Sequence, residues 1–113
     1  MHSVPDRRKR RYPRYRVDFP VSVTMLVNSE YQTFDAHGKD LAEAGIGVLV
    51  ATELTIGEVA SFKFSLPGSS DIWEIRAVLR HRRGYHYGFE FLSIRNEQKQ
   101  YLKKYLETLE RAD

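Results

Sequence analysis

Arg10 and Arg14 lie four residues apart in "KRRYPRYR" (residues 9–16), with Arg11 between them and Arg7, Arg8 and Lys9 just upstream. A guanidinium presents a planar fork of N–H donors that fits two acceptors equally well, phosphate oxygens and the O6/N7 edge of guanine. Tyr12-Pro13 stiffens the segment, because proline fixes its own φ and biases the residue before it toward extended geometry. Two forks held still where a strand begins grip a planar anion better than a floppy lysine tail does. The competing reading of these residues is a solvated basic tail.

The other side chains offer little chemistry. There is no cysteine, hence no disulfide framework, thiolate metal site or cysteine nucleophile. His2, His37, His81 and His86 show neither an i, i+4 helical pair nor an HExxH-like grouping. His81 and His86 flank one hairpin, where surface histidines are expected rather than two ligands of a metal lacking a third. The serines lack a nucleophile-elbow context and the carboxylates are scattered. "AGIG" opens a strand instead of a helix, so its glycines serve a turn and close backbone approach and do not cradle phosphate. A binding module without catalysis, cofactor or metal is expected.

The charge is uneven. Residues 1–16 carry seven of the 18 Lys and Arg against one acid, Asp6, whereas the remaining 97 residues are net −3. A basic arm on a mildly acidic body suits nucleic acid, anionic lipid or a small polyanion, and charge alone does not choose among them. The acidic body speaks against nucleic acid, since a groove binder spreads its basic residues across a face. No apolar h-region follows the basic N-terminus, and the longest nearly apolar run, "GIGVLVA", is far short of the ~20 residues of a membrane span. A cytoplasmic location and no membrane span are expected.

The elements that must position the arginines follow from hydrophobic period. Val17, Phe19, Val21, Val23, Met25 and Val27 alternate with mostly polar neighbours, a half-buried strand whose start Pro20 demotes to an edge or bulge. "NSE" turns the chain into "YQTFDAHGKDL", and "GIGVLVA", "EVASFKFSL", "IWEIRAVLRH" and "YHYGFEFLS" read as four further strands, the last two flanking the turn "RRG". Six short strands with tight turns predict an all-β fold, a small six-stranded antiparallel barrel. Ile94, Tyr101, Leu102, Tyr105, Leu106 and Leu109 then recur at helical spacing, predicting one C-terminal amphipathic helix over about 95–110 whose apolar stripe packs on the barrel or forms a dimer surface. The organisation expected is a flexible basic arm, residues 1–15, and one domain, residues 16–113.

"RRYPRYRVDFPVSV", "DLAEAGIGV" at 40–48 and "YGFEF" at 87–91 together resemble the PilZ domain family, over about residues 7–106. The resemblance implies a six-stranded β-barrel with a C-terminal helix, binding cyclic di-GMP and signalling to a protein partner. The family signature is RxxxR before the first strand, then [D/N]xSxxG. Arg10 and Arg14 match the first part, and Asp40 and Gly45 the ends of the second. Ala42 stands where the family has serine, and Ala44 at a position that is often glycine. By resemblance, Arg10, Arg11 and Arg14 grip guanine edges and phosphates, and the turn bearing Asp40, Ala42, Ala44 and Gly45 forms the opposite wall. Arg8 and Lys9 would add charge for a stacked ligand dimer carrying four phosphates. His81 falls where many members carry a tryptophan near the ligand; it is either a stacking group or an exposed strand residue before a turn.

The alanine at 42 removes one hydroxyl, worth about 0.5–1.5 kcal/mol as a neutral hydrogen bond and about 1.5–3 kcal/mol to a charged partner. Each bidentate arginine–guanine contact contributes roughly 1–3 kcal/mol, and both principal arginines remain. Affinity is therefore expected to fall about tenfold, at about 1.4 kcal/mol per tenfold, without vanishing. The alternative is a degenerate PilZ adaptor that binds no nucleotide and works by protein–protein contact.

Overall fold

The computed structural model describes residues 12–112, so Arg8, Lys9, Arg10 and Arg11 lie outside the described residues. Six strands, β1 (Tyr15–Val27), β2 (Glu30–Ala42), β3 (Gly45–Leu49), β4 (Val59–Phe64), β5 (Trp73–Arg83) and β6 (His86–Phe91), precede a helix α1 (Asn96–Leu106). All neighbours pair antiparallel, and the order β1-β2-β3-β6-β5-β4 closes into a barrel through β4 on β1. Closure removes the open edges that a sheet of this size would otherwise expose.

The period-two pattern reads directly onto the interior. Phe19, Val21, Val23 and Met25 of β1 point inward, opposite Phe62 and Phe64 of β4 and Ile75, Ala77 and Leu79 of β5, and all are buried. Phe62 meets Phe89 edge-on at 4.7 Å, and Trp73 bridges Phe64 and Tyr101, tying α1 to the barrel end. Tyr87 is fully buried, and its hydroxyl accepts from the Leu54 amide at 3.0 Å and donates to the Thr52 carbonyl at 2.9 Å. That phenol thereby fixes the long β3–β4 connection. Pro20 sits where β1 is paired on one side only, since β4 joins at Ser22, and a residue without an N–H is tolerated there.

The β1–β2 hairpin turns through Asn28 and Ser29, with φ of 52° and 68°, and the β5–β6 hairpin turns on Gly84, φ 61°. The last hairpin therefore bends at Gly84–Tyr85 rather than across "RRG", because Arg82 and Arg83 still pair with Tyr87 and His86. Helix α1 is shorter than its hydrophobic period suggests. Leu102 and Leu106 are buried, but Leu109 packs against the core from beyond the last helical turn. The chain then runs back along the start of β1, where the Arg16 amide donates to Glu110 and the Ala112 amide to Arg14.

Candidate functional site

Three strands carry a one-residue irregularity at the same level of the barrel. In β2 the register slips between Gly38 and Asp40, in β1 between Arg16 and Phe19, and in β5 between Leu79 and His81. Such bulges reverse which face each later residue occupies. Ala36 and Gly38 face inward along β2, so an unbroken alternation would send Asp40 into the core. The bulge at Lys39 instead buries Leu41 and leaves Asp40 on the outer face. In β5 the inward series Trp73, Ile75, Ala77, Leu79 would continue to His81, and the extra residue Arg80 turns that imidazole outward too.

The two re-aimed side chains share a floor. Asp40 pairs with Gly47, Gly47 with Gly88, and Gly88 with His81, one row across β2, β3, β6 and β5. The Asp40 carboxylate lies over Gly47 and the His81 ring over Gly88, each in the space a Cβ would fill. No larger residue at 47 or 88 leaves these groups where they are.

Arg14 enters from the start of β1 and bridges them. Its Nη2 donates to His81 Nε2 at 3.0 Å, and its Nη1 lies 3.7 Å from Asp40 Oδ1. Arginine has no acceptor, so His81 Nε2 accepts in this contact. His86 Nε2 donates to the other Asp40 oxygen at 3.1 Å. The Asp40 side chain is only 15% exposed and that of Arg14 only 23%. Partial burial screens their attraction less than at an open surface.

Around this pair opens a cleft of about 310 Å3. It is lined by Arg14, Asp40, Ala42, Ala44, Gly45 and His81, so the structure gathers every sequence-singled residue that it describes. Arg8, Lys9, Arg10 and Arg11 lie outside the described residues. Ala42 and Gly45 close the β2–β3 hairpin, and Gly45 packs against the Phe89 carbonyl, with no room for a Cβ. Tyr12, read from sequence as part of the stiffened Tyr12-Pro13 entrance, lines the cleft too, as do Arg80, Glu90 and Gly88, which were not named as site residues; Arg80 Nε meets Glu90 at 2.7 Å on its rim. His86, read from sequence as a surface histidine, is half-buried and orients Asp40. Trp73 lies at the far barrel end, in packing. Among the described residues no group of three or more His, Cys, Asp or Glu is placed to hold a metal ion, and no helix is long and apolar enough to cross a membrane.

A planar anion with hydrogen-bonding edges fits such a cleft: a guanidinium on one wall, a carboxylate and hairpin backbone on another, an imidazole plane beside them. Comparison with known proteins gives a family and a fold. A family profile described as the PilZ domain matches residues 8–108. No curated protein matches the chain by sequence. Among solved structures, the PilZ domain of YcgR from Escherichia coli, solved with c-di-GMP, superposes with a TM-score of 0.67 at 21% identity, covering 89% of this chain and 91% of that one. The Bacillus subtilis inhibitor of motility MotI/DgrA gives 0.66 at 19% identity over 88% of this chain, which spans 50% of that protein. The PilZ domain of CeSA from a cellulose-synthesizing bacterium gives 0.62 at 15% identity, over 84% and 95%. These likenesses establish a shared barrel-and-helix fold.

Proposed function

The chain belongs to the PilZ domain family, whose members are ligand-binding regulatory domains, and from that premise we propose that it is a receptor for cyclic di-GMP. Arg14 and Arg10, with Arg11 beside them, hold guanine edges and phosphates, and the Asp40–Gly45 turn with Ala42 and Ala44 forms the facing wall. His81 offers its ring plane, and Arg8 and Lys9 add charge upstream. One observation carries the reading: the second arginine of RxxxR and the aspartate of the second motif meet over the Gly47–Gly88 floor, at a cleft that also holds Ala42, Ala44, Gly45 and His81. The related YcgR domain, which was solved with c-di-GMP, lends support. Binding closes the basic arm over the cleft, and the changed surface relays the signal to a protein partner by favouring one arm position.

The test is isothermal titration with cyclic di-GMP at moderate salt. Heat of binding is expected from the wild type and none from Arg14→Ala at the same concentrations; a wild type without heat overturns the reading.

A second reading has its own observation. Ala42 and Ala44 present methyl groups to the cleft, and Arg14 already has Asp40 and His81 as partners. An adaptor that has given up the nucleotide and docks a protein would look this way. Ala42→Ser separates the two, since it tightens an existing affinity in a receptor and changes nothing in an adaptor.

A further inference from the structure

We propose that Glu110–Ala112 is a positioning segment for the ligand cleft, clasping the edge of β1 at Arg14–Arg16 and so setting where the Arg14 guanidinium reaches; the proposal rests on the cyclic di-GMP reading of that cleft. β1 has β2 on one edge along its whole length, beginning with Tyr15 opposite Leu41. On its other edge β4 covers only Ser22–Met25. The edge at residues 14–16 is filled instead by the segment that follows α1. The Arg16 amide donates to the Glu110 carbonyl at 2.9 Å, the Ala112 amide donates to the Arg14 carbonyl at 2.9 Å, and Tyr15 faces Arg111 between them.

The clasp is itself anchored. Leu102 and Leu106 are buried in the core, Tyr105 and Leu109 pack against it and line one cavity with Val17, and Tyr15 packs against the core as well. Arg14 is thus held at both ends: its carbonyl by Ala112, its guanidinium by Asp40 and His81. A strand start paired on one edge frays, and a ligand that needs Arg14 in one place must then order it on binding. With both edges paired, that ordering precedes binding and the affinity rises. The linkage is reciprocal, so ligand in the cleft tightens the clasp, and anything that draws residues 110–112 off β1 weakens the ligand by the same factor.

Ala112→Pro tests this in the full chain, because it deletes the N–H that donates to the Arg14 carbonyl; Ala112→Gly keeps it. Cyclic di-GMP affinity is expected to fall about five- to tenfold in Ala112→Pro and to stay within about twofold in Ala112→Gly. Deleting residues 110–113 should match or exceed the proline effect. Hydrogen exchange gives the independent readout: the Arg16 amide is protected in the wild type and loses protection in Ala112→Pro, while Val23 and Phe62 stay protected in both. An unprotected Arg16 amide in the wild type, or unchanged affinity once that protection is lost, overturns the proposal. If the wild type itself gives no heat with cyclic di-GMP, the binding reading falls separately. The clasp is then decided by the Arg14 Nε–H resonance, whose shift or broadening in Ala112→Pro supports positioning and whose constancy overturns it.

Discussion

Asp18 and Asp40 lie on neighbouring strands, each beside a histidine and a cation, yet only Asp40 lines the cleft that Arg14 and His81 share. Asp18 accepts from His37 and has Lys39 Nζ at 3.6 Å, and its side chain is 71% exposed. Asp40 accepts from His86, has Arg14 at 3.7 Å, and is 15% exposed. The residue types are nearly the same. The difference lies beneath them: Asp40 is turned outward by a bulge and lowered onto Gly47, whereas nothing recesses Asp18. Solvent and salt screen exposed pairs of the first kind. A set of charges becomes a site here through the backbone that recesses it.

The largest test of that contrast removes the cation from each set. Arg14→Ala should weaken cyclic di-GMP by about 10–100-fold, the worth of a bidentate guanine contact. Lys39→Ala should change it by less than about twofold, as expected of a screened surface charge. Arg10→Ala should resemble Arg14→Ala, and Arg7→Ala should cost less. Equal losses at positions 7, 14 and 39 in titration calorimetry would reduce the arm to a diffuse positive field. Arg14→Ala also strips a partly buried carboxylate of its cation, so a drop in unfolding free energy of about 1 kcal/mol should accompany it in denaturant melts.

The next test raises the floor. Gly47→Ala places a methyl in the space of the Asp40 carboxylate and should lower ligand affinity about tenfold, at about 1.4 kcal/mol per tenfold. Strand alanine is better than strand glycine by about 0.5–1 kcal/mol, which offsets the loss of the Asp40–Arg14 pair, so the melting temperature should stay roughly unchanged. Affinity lost without stability separates a positioning glycine from a packing one; unchanged affinity would mean that the recess under Asp40 is incidental. A smaller gain is expected on the facing wall, where Ala42→Ser should tighten binding by up to about tenfold if its hydroxyl meets the ligand, as titration would read.

The barrel was legible because its interior obeys a two-residue period that survives in the sequence, from Phe19 to Met25 and from Ile75 to Leu79. Arg14 stood out by its spacing from Arg10, and Asp40 and Gly45 were named only through the resemblance to the family signature. The means of bringing them together were not legible. Lys39 and Arg80 are ordinary residues in alternating runs, and nothing local says that each is the extra member of a bulge; that is fixed by register against β3 and β6. Gly47 and Gly88 left a usable signal, since an isolated glycine within a strand marks close approach by another group. What approaches depends on pairing across four strands. The clasp at 110–112 was hidden for the same reason: its partners are almost a hundred residues away, and its own sequence has no strand period.

The smallest effect belongs to Asp18 and shows what an exposed set does. The hydrogen bond from His37, and then the positive charge of Lys39, hold its carboxyl below the usual carboxylate range. The folded state therefore releases this proton more readily than the unfolded chain. The resulting stability is fully present above the unfolded value, about 3.9, and is lost as pH falls through the lower folded value. Asp18→Asn should remove that increment, so denaturation midpoints of variant and wild type should differ slightly at neutral pH and converge under acid conditions. Cyclic di-GMP affinity at neutral pH should move by less than about twofold, because Asp18 is screened and does not line the cleft. A variant that instead lost affinity as Arg14→Ala does would put both carboxylates in one electrostatic site and erase the distinction between the recessed and the open set.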